Sequence, residues 1–126
     1  MPHIQESHMN LNDYAKLCHA ANQKWWQDIN TGEPIKRNKG ELLALVHSEI
    51  SECLEGERKN LMDDKLPQFP MAQVEIADAL IRLFDYVAGF HPDCDLQAIF
   101  EAKMEFNRTR IDHTHEARRI AGGKQF

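Results

Sequence analysis

The sequence predicts an all-α fold with four main helices, arranged like a four-helix bundle. Apolar residues recur at helical spacing in four segments, and stretches rich in Gly, Pro and Asn separate these segments. No period-two alternation of useful length is present, so no β-strand is predicted. A bundle of packed helices is therefore the expected architecture.

The first two helices are predicted from spacing and from a cap. Leu11, Tyr14 and Trp25 belong to an apolar series that predicts a helix over residues 10–29. The loop NTGEPIKRNKG follows, and Asn38 before Glu41 resembles a capping box that opens a second helix. That helix is predicted to span about twenty residues, up to the break at DDKLPQFP.

The last two helices are predicted from the next breaks. The third helix is expected from Met71 to Gly89, where the segment HPDCD interrupts the pattern. The fourth is expected from Leu96 to Ile120.

Length and composition restrict the class of protein. The chain has 126 residues, of which 42% are apolar, and we expect one domain over residues 9–126 after an expression leader at residues 1–8 that ends in a cloning scar. No long apolar run or signal peptide is present, which predicts a cytoplasmic protein that does not meet a membrane. The three cysteines fit a reducing compartment, and the net charge of −5 disfavours nucleic-acid binding.

Two acidic pairs are the main candidates for a functional site. Glu49 and Glu52 are three residues apart on the second helix, and Glu75 and Asp78 are three apart on the third. Residues at this spacing lie about 4.5 Å apart along the axis and roughly 60° around it, so each pair presents two carboxylates on one face. Two such faces can form a cage for a cation.

The electrostatic cost favours a bound cation over a dry cluster. Two carboxylates about 4.5 Å apart repel by roughly 3 to 4 kcal/mol at an effective dielectric near 20. Either full solvation or hard divalent cations would offset this repulsion. A set of oxygen ligands suits Mg²⁺, Mn²⁺ or Ca²⁺, whereas zinc would be expected to recruit His or Cys.

The alternative is that the acids lie on solvated helix faces, as many acidic pairs do. Glu49 and Glu52 argue against this because they continue an inward stripe that begins with Leu42 and Leu45. The second pair leaves both interpretations open. Its face carries Arg82, which could pair with Asp78 or Asp85 on the same helix, but apolar flanks favour a polar groove between packed helices.

With these motifs the chain resembles the MazG-like, all-α nucleoside triphosphate pyrophosphohydrolases. Their signature is E-x-x-E, a gap, and then E-x-x-D, and the spacing from Glu52 to Glu75 fits that gap. The segments KMEFNRTRIDH and GGKQF are similar to the basic segment and the Gly-Lys tail of the family. The compact form resembles phage or stand-alone members, including MazZ-like phage enzymes that act on purine deoxynucleoside triphosphates.

The resemblance implies a reaction and its cofactors. A nucleoside triphosphate would be cut between the α and β phosphates to give the monophosphate and pyrophosphate, with dGTP and dATP as the favoured substrates. Glu49, Glu52, Glu75 and Asp78 would bind two or more Mg²⁺ ions, with Mn²⁺ as a substitute. Glu49 or Glu52 would orient or deprotonate the attacking water.

The resemblance also implies phosphate ligands and an assembly. Lys103, Asn107 and Arg110 would share one face of the last helix and meet the β and γ phosphates, and Lys124 would close over them. The alternative is that these cationic side chains are exposed to solvent and only interact favourably with the negative end of the helix dipole. Known members assemble as dimers or tetramers, so a homo-oligomer is expected.

Adjacent Trp25 and Trp26 are the candidates for a base pocket. Consecutive residues on a helix point about 100° apart, so both indoles cannot face the same core. One is expected in the core, and the other at a subunit contact or stacked on the base, with Asn22 or Gln23 as polar neighbours.

Two other classes of protein remain as alternatives. The first is a non-catalytic helical binding or assembly module, in which the acids are solvated. The second is a di-iron bundle, which normally needs Glu-x-x-His on two helices. No such motif occurs in the sequence, so the di-iron alternative is disfavoured.

Overall fold

The computed structural model describes residues 8–110, 115–120 and 122–124. The described part forms α-helices and isolated β-bridges but no β-strand, which confirms the all-α prediction. The elements are α1 (Leu11–Ala21), a 3₁₀ helix (Gln23–Trp26), α2 (Lys39–Lys59), α3 (Met71–Phe90), α4 (Leu96–Thr109) and α5 (His115–Arg119). None of the described helices has both the length and the apolar character needed to cross a membrane.

The chain divides into two compact units, Met1–Cys94 and Asp95–Phe126. In the first unit α3 packs against both α2 and α1. Tyr14 of α1 stacks on Phe84 of α3, with the ring centroids 5.9 Å apart. The second unit contains α4 and α5. The expectation of one domain over residues 9–126 stays a prediction.

The contact between α2 and α3 depends on a glycine. A Cβ atom on Gly56 would lie 2.9 Å from the backbone nitrogen of Ala72, so a side chain there would push the helices apart. Gly56 is near the end of α2 and Ala72 is near the start of α3. The two helices therefore run antiparallel, and the E-x-x-E face of α2 meets the E-x-x-D face of α3.

Local hydrogen bonds fix both ends of α2 and the loop that follows. The side chain of Asn38 accepts a hydrogen bond from the Glu41 amide at 2.9 Å, which confirms the cap expected from the sequence. Asn60 ends the helix in the left-handed region, with φ 52°. The buried Asp63 carboxylate then accepts hydrogen bonds from the Lys65 and Leu66 amides and closes the loop before α3.

The first helix is shorter than residues 10–29, so that prediction was wrong at its C-terminal end. The Asn22 amide donates to the carbonyls of Cys18 and His19, and the Trp25 amide donates to the Asn22 carbonyl at 2.9 Å. These bonds convert the chain into a 3₁₀ turn, which carries both tryptophans. The indole of Trp26 bonds to Asp85 of α3, and this tertiary contact outweighs the helical periodicity that the sequence shows.

The last helix is not continuous from Leu96 to Ile120, which corrects a second boundary. It ends at Thr109, whose hydroxyl donates to the Glu105 and Phe106 carbonyls at 3.3 and 3.2 Å. Such local bonds from a β-branched residue compete with helix propagation. Arg110 is therefore extended, with φ −64° and ψ 132°, and does not continue the helical face of Lys103 and Asn107 as predicted.

We expect Gly89→Ala to destabilise the protein, although alanine normally favours a helix by about 0.5 to 1 kcal/mol. A Cβ atom at position 89 would overlap the indole ring of Trp26. Overpacking of this kind costs about 1 to 3 kcal/mol, measurable as the free energy of unfolding in urea. In the Trp26→Phe background the smaller ring should remove much of that cost. Equal destabilisation in both backgrounds would contradict the close contact.

Candidate functional site

The antiparallel contact brings carboxylates of α2 and α3 together. Carboxylate oxygens of Glu49, Glu52 and Glu75 all lie within 4.8 Å of one another. Glu49 and Glu75 are only 9% and 8% exposed, whereas Glu52 is exposed. The structure thus brings together three of the four carboxylates that the sequence singled out. We call these three residues the carboxylate cluster.

Asp78, the fourth predicted ligand, stands at the edge of the cluster. It is half-buried and is not among the three residues whose oxygens lie within 4.8 Å of one another. Burial raises the pKa of Asp78, and the negative charge of Glu49 raises it further. The negative charge of the cluster therefore contributes to the raised pKa of Asp78.

Within the cluster, Glu49 and Glu75 shift each other's pKa in opposite directions. A hydrogen bond with Glu49, together with burial and the neighbouring Glu52, raises the pKa of Glu75 to about 8. The same hydrogen bond from Glu75, with help from Arg82, lowers the pKa of Glu49 against the opposing effect of burial. Without a cation, Glu75 therefore holds a proton near neutral pH and donates it to the Glu49 carboxylate.

Arg82 reaches the cluster from α3. Its Nε donates to Oε1 of Glu49 at 3.0 Å, across the helix contact. The pairs with Asp78 and Asp85 on its own helix, which the sequence left open, are not the ion pair that the structure forms. Spacing along one helix cannot reveal a partner on another helix, which is why this contact was missed.

The donor set fits a hard divalent cation. The cluster offers only carboxylate oxygens, which Mg²⁺, Mn²⁺ and Ca²⁺ prefer. Oε2 of Glu75 is buried and has no hydrogen-bond partner among the described residues. A buried carboxylate oxygen without a partner is costly, and a cation would satisfy it. The residues present therefore fit the metal that the sequence resemblance implies.

Two clefts flank the carboxylate cluster. The first has a volume of about 540 Å³, and Glu49 and Asp78 line it together with Arg82. The second has a volume of about 500 Å³, and Glu52 and Glu75 line it next to Asp63. The cluster thus faces open space on both sides, and only the first cleft also carries an indole among its lining residues.

The predicted base-pocket residues separate in the structure. Asn22 and Trp25 line the first cleft, and Trp25 is 60% exposed. Trp26 is half-buried and packs edge-on against His19 and Phe90, with centroid distances of 5.0 and 5.1 Å. One indole faces the cleft and the other the protein interior, whereas Gln23 lines a smaller cavity beside α1.

The buried carboxylate of Asp85 holds the tryptophan segment, the 3₁₀ helix Gln23–Trp26, in place. Trp26 Nε1 donates to Oδ1 and Oδ2 of Asp85 at 3.0 and 3.3 Å, and His19 Nδ1 lies 2.8 Å from Oδ1. Arg37 donates from Nη1 to the Trp25 carbonyl at 2.8 Å and also lines the cleft. Sequence reasoning missed Arg37 and His19, because a loop cation and a histidine on an apolar helix carry no spacing signal.

The predicted phosphate ligands lie in the second unit. Lys103 Nζ and the Arg110 guanidinium lie 5.0 and 5.8 Å from the centroid of the Phe106 ring. The side-chain oxygen of Asn107 is buried and has no hydrogen-bond partner among the described residues. Lys124 is exposed. The roles of these four residues stay predictions.

Comparisons with protein-family models, with curated proteins and with solved structures find no match for this chain. The family resemblance therefore rests on the motifs in the sequence.

We expect the cation-free protein to lose stability as the pH rises from about 5 to about 8. The folded-state pKa of Glu75, about 8, lies above its ordinary value of 4.5, so the folded protein binds more protons than the unfolded chain in this interval. The free energy of unfolding should fall by roughly 2 to 4 kcal/mol, measurable as a decrease in Tm with EDTA present.

Glu75→Gln should flatten this decrease, because the amide keeps the hydrogen-bonding shape without a titrating group. Glu57→Gln, which removes an exposed acid elsewhere on α2, is the matched control and should keep the wild-type slope. A Tm that stays constant or rises over this interval in the wild type would contradict a shared proton in the cluster.

Proposed function

We propose that this protein is a divalent-cation-dependent nucleoside triphosphate pyrophosphohydrolase with a MazG-like fold, which converts a triphosphate and water into the monophosphate and pyrophosphate. The observation that carries the proposal is the carboxylate cluster, whose oxygens lie within 4.8 Å of one another beside a cleft of about 540 Å³. That volume falls within the roughly 300 to 1,000 Å³ range of small-molecule sites.

In this proposal Glu49, Glu52 and Glu75 hold Mg²⁺ or Mn²⁺, and Asp78 completes the ligand set at the edge of the cleft. The bound cations supply positive charge for the phosphate oxygens and lower the pKa of a bound water. Glu75 must release its shared proton when it becomes a ligand. Glu49, with its lowered pKa, remains an ionised carboxylate that can orient the attacking water or accept its proton.

The nucleoside would lie at the Trp25 end of the same cleft. An exposed indole offers a flat face on which a base can stack, and the Asn22 amide can donate to or accept from a base edge. A broad aromatic face favours purines over pyrimidines through its larger overlap. Purine deoxynucleoside triphosphates are accordingly the substrates we propose.

The family resemblance also implies phosphate contacts for four residues of the second unit, and we keep that assignment as a proposal: Lys103, Asn107, Arg110 and Lys124. Lys103 and Arg110 each lie within about 6 Å of the centroid of the Phe106 ring, at cation–π distance. Lysine and arginine are the side chains that bind phosphate oxygens best.

A homo-oligomer is part of the proposal. No side chain in the described part of the chain is less than 2% exposed, so the core of one copy is thin. Large apolar side chains on α2 and α3, such as Ile50, Leu54 and Ile76, are more than half exposed. Burial of such surfaces between copies would supply the missing apolar contacts. The three free cysteines fit the reducing cytoplasm that we propose as its location.

One observation favours the second candidate, a non-catalytic helical assembly module. Arg82 neutralises Glu49 without any metal, so the cluster could be a purely structural ion pair between two helices. In that case divalent cations would not raise the Tm. The module would also leave nucleotides intact.

The decisive test is to incubate the protein with each of the eight common ribo- and deoxyribonucleoside triphosphates and Mg²⁺. Chromatography should show a monophosphate and pyrophosphate, and EDTA should prevent their formation. Orthophosphate as the primary product would contradict attack at the α-phosphorus.

Glu52→Gln and Asp78→Asn should each abolish turnover while leaving the Tm of the cation-free protein unchanged or higher. Each change removes a negative charge from a repulsive group and so relieves part of the repulsion. Glu57→Gln serves as the control and should keep wild-type turnover. A large fall in Tm with activity retained in the site variants would favour the assembly module.

Substitution of the two tryptophans should separate nucleotide binding from stability. Trp25→Ala should lower kcat/KM for dGTP and dATP by about 5- to 150-fold, the equivalent of about 1 to 3 kcal/mol of stacking, and should affect dCTP and dTTP less. Trp26→Ala should instead lower the free energy of unfolding by about 2 to 4 kcal/mol, because it removes a packed ring and leaves Asp85 without its indole donor. If neither change alters the relative preference for purines, the proposed stacking role of Trp25 is wrong.

A further inference from the structure

Arg82 connects the carboxylate cluster to the first cleft. It crosses from α3 to Glu49 of α2 at 3.0 Å, although Asp78 and Asp85 lie one turn away on its own helix. Asp85 is instead occupied by the Trp26 indole and by His19. Arg82 therefore supplies the positive charge that the cluster holds when no cation is bound.

Arg82 and Glu49 differ in how far their side chains are exposed to solvent. The side chain of Arg82 is 41% exposed and lines the cleft, whereas the side chain of Glu49 is only 11% exposed. Among the described residues, the ion pair with Glu49 is the contact that holds this guanidinium. Arg82 is thus the half-exposed partner of a mostly buried carboxylate, and its side chain lines the cleft.

The other arginine of the cleft is held differently. Arg37 donates to the Trp25 carbonyl at 2.8 Å, and its guanidinium lies 5.6 Å from the centroid of the Trp26 ring. Neither of these partners is a candidate metal ligand. Of the two arginines, Arg82 is the one whose partner belongs to the carboxylate cluster.

The cluster is also more than an exposed acidic patch. Glu75 is 8% exposed, and its Oε2 has no hydrogen-bond partner among the described residues. A buried oxygen without a partner indicates a ligand position. A cation that binds there also lies next to Glu49, where the guanidinium now sits.

We propose that Glu49 exchanges Arg82 for a divalent cation, and that the released guanidinium binds the phosphate chain of the substrate in the cleft. This inference rests on the proposed function, since it assigns the cleft to a triphosphate. Like charges repel, so the guanidinium is disfavoured beside Glu49 once that carboxylate ligates a cation. The planar fork of arginine matches phosphate oxygens in a bidentate geometry. Arg82 is thus a counter-ion in the first state and a substrate ligand in the second.

The test compares Arg82→Gln with Lys16→Gln, which removes one positive charge from an exposed site on α1. Calorimetric titration of the cation-free proteins gives the affinity for Mn²⁺. A second titration gives the affinity for inorganic tripolyphosphate with Mg²⁺ in excess, which avoids any dependence on the base.

Arg82→Gln should bind Mn²⁺ about 3- to 10-fold more tightly, because the competing positive charge is gone. It should bind tripolyphosphate about 10- to 100-fold more weakly, because a charged hydrogen-bond donor is lost. Lys16→Gln should match the wild type in both titrations. A residue with only a structural role would not move the two affinities in opposite directions.

Arg82→Lys keeps the proposal testable if Arg82→Gln does not fold, as judged by its far-UV circular dichroism and Tm. Lysine retains the charge but lacks the fork, so Mn²⁺ affinity should stay within about twofold of the wild type while tripolyphosphate binds more weakly. Equal or weaker Mn²⁺ binding in Arg82→Gln, or an unchanged affinity for tripolyphosphate, would overturn the exchange.

The two proposals fail in different ways. If the wild type releases no pyrophosphate from any nucleotide while both affinities change as expected, hydrolysis is wrong and the exchange stands. If the wild type releases pyrophosphate and Arg82→Gln retains both wild-type affinities, the exchange is wrong and hydrolysis stands.

Discussion

Repulsion among the carboxylates at the contact of α2 and α3 is the constraint on which the structure depends. Gly56 lets the two backbones approach at one end of this contact, and the antiparallel arrangement then forces Glu49, Glu52 and Glu75 into the same space. Two buried carboxylates can share that space only if positive charge or a proton lies between them. The proton on Glu75 and the guanidinium of Arg82 supply this neutralisation in the cation-free protein.

Asp85, the buried acid that contacts the tryptophan segment, is stabilised in a different way from the carboxylate cluster. Asp85 accepts a hydrogen bond from the Trp26 indole N–H and lies 2.8 Å from Nδ1 of His19. These partners belong to α1 and to the 3₁₀ helix, and they tie both elements to α3. The carboxylate cluster is held instead by partners that can leave. Asp85 therefore stabilises the packing of α1 and the 3₁₀ helix on α3, whereas the carboxylate cluster can exchange its present partners for a cation.

Sequence reasoning predicts the parts of the structure that depend on local pattern. The bounds of α2 and α3 follow from apolar spacing, from the Asn38 cap and from the proline-rich break, and the two acidic pairs follow from the same spacing. The end of α1 could not be predicted, because it depends on the contact of Trp26 with Asp85, which are far apart in the sequence. The same limitation hides the pair of Arg82 with Glu49. Spacing along a helix identifies a face, but it does not identify what the neighbouring helix presents to that face.

Formal charges connect the cluster to its proposed substrate. Glu49, Glu52 and Glu75 carry three negative charges when ionised, and the proton on Glu75 and the Arg82 guanidinium reduce them to one. If one divalent cation replaces both the proton and the guanidinium, the cluster keeps one net negative charge, which does not attract a polyanion. A second cation makes the cluster positive, and the released guanidinium adds its charge in the cleft. One cation together with the Arg82 guanidinium only brings this sum to zero, whereas two cations leave a net positive charge. Binding of a triphosphate beside these carboxylates therefore requires two cations, because only then does positive charge prevail where the phosphates must lie.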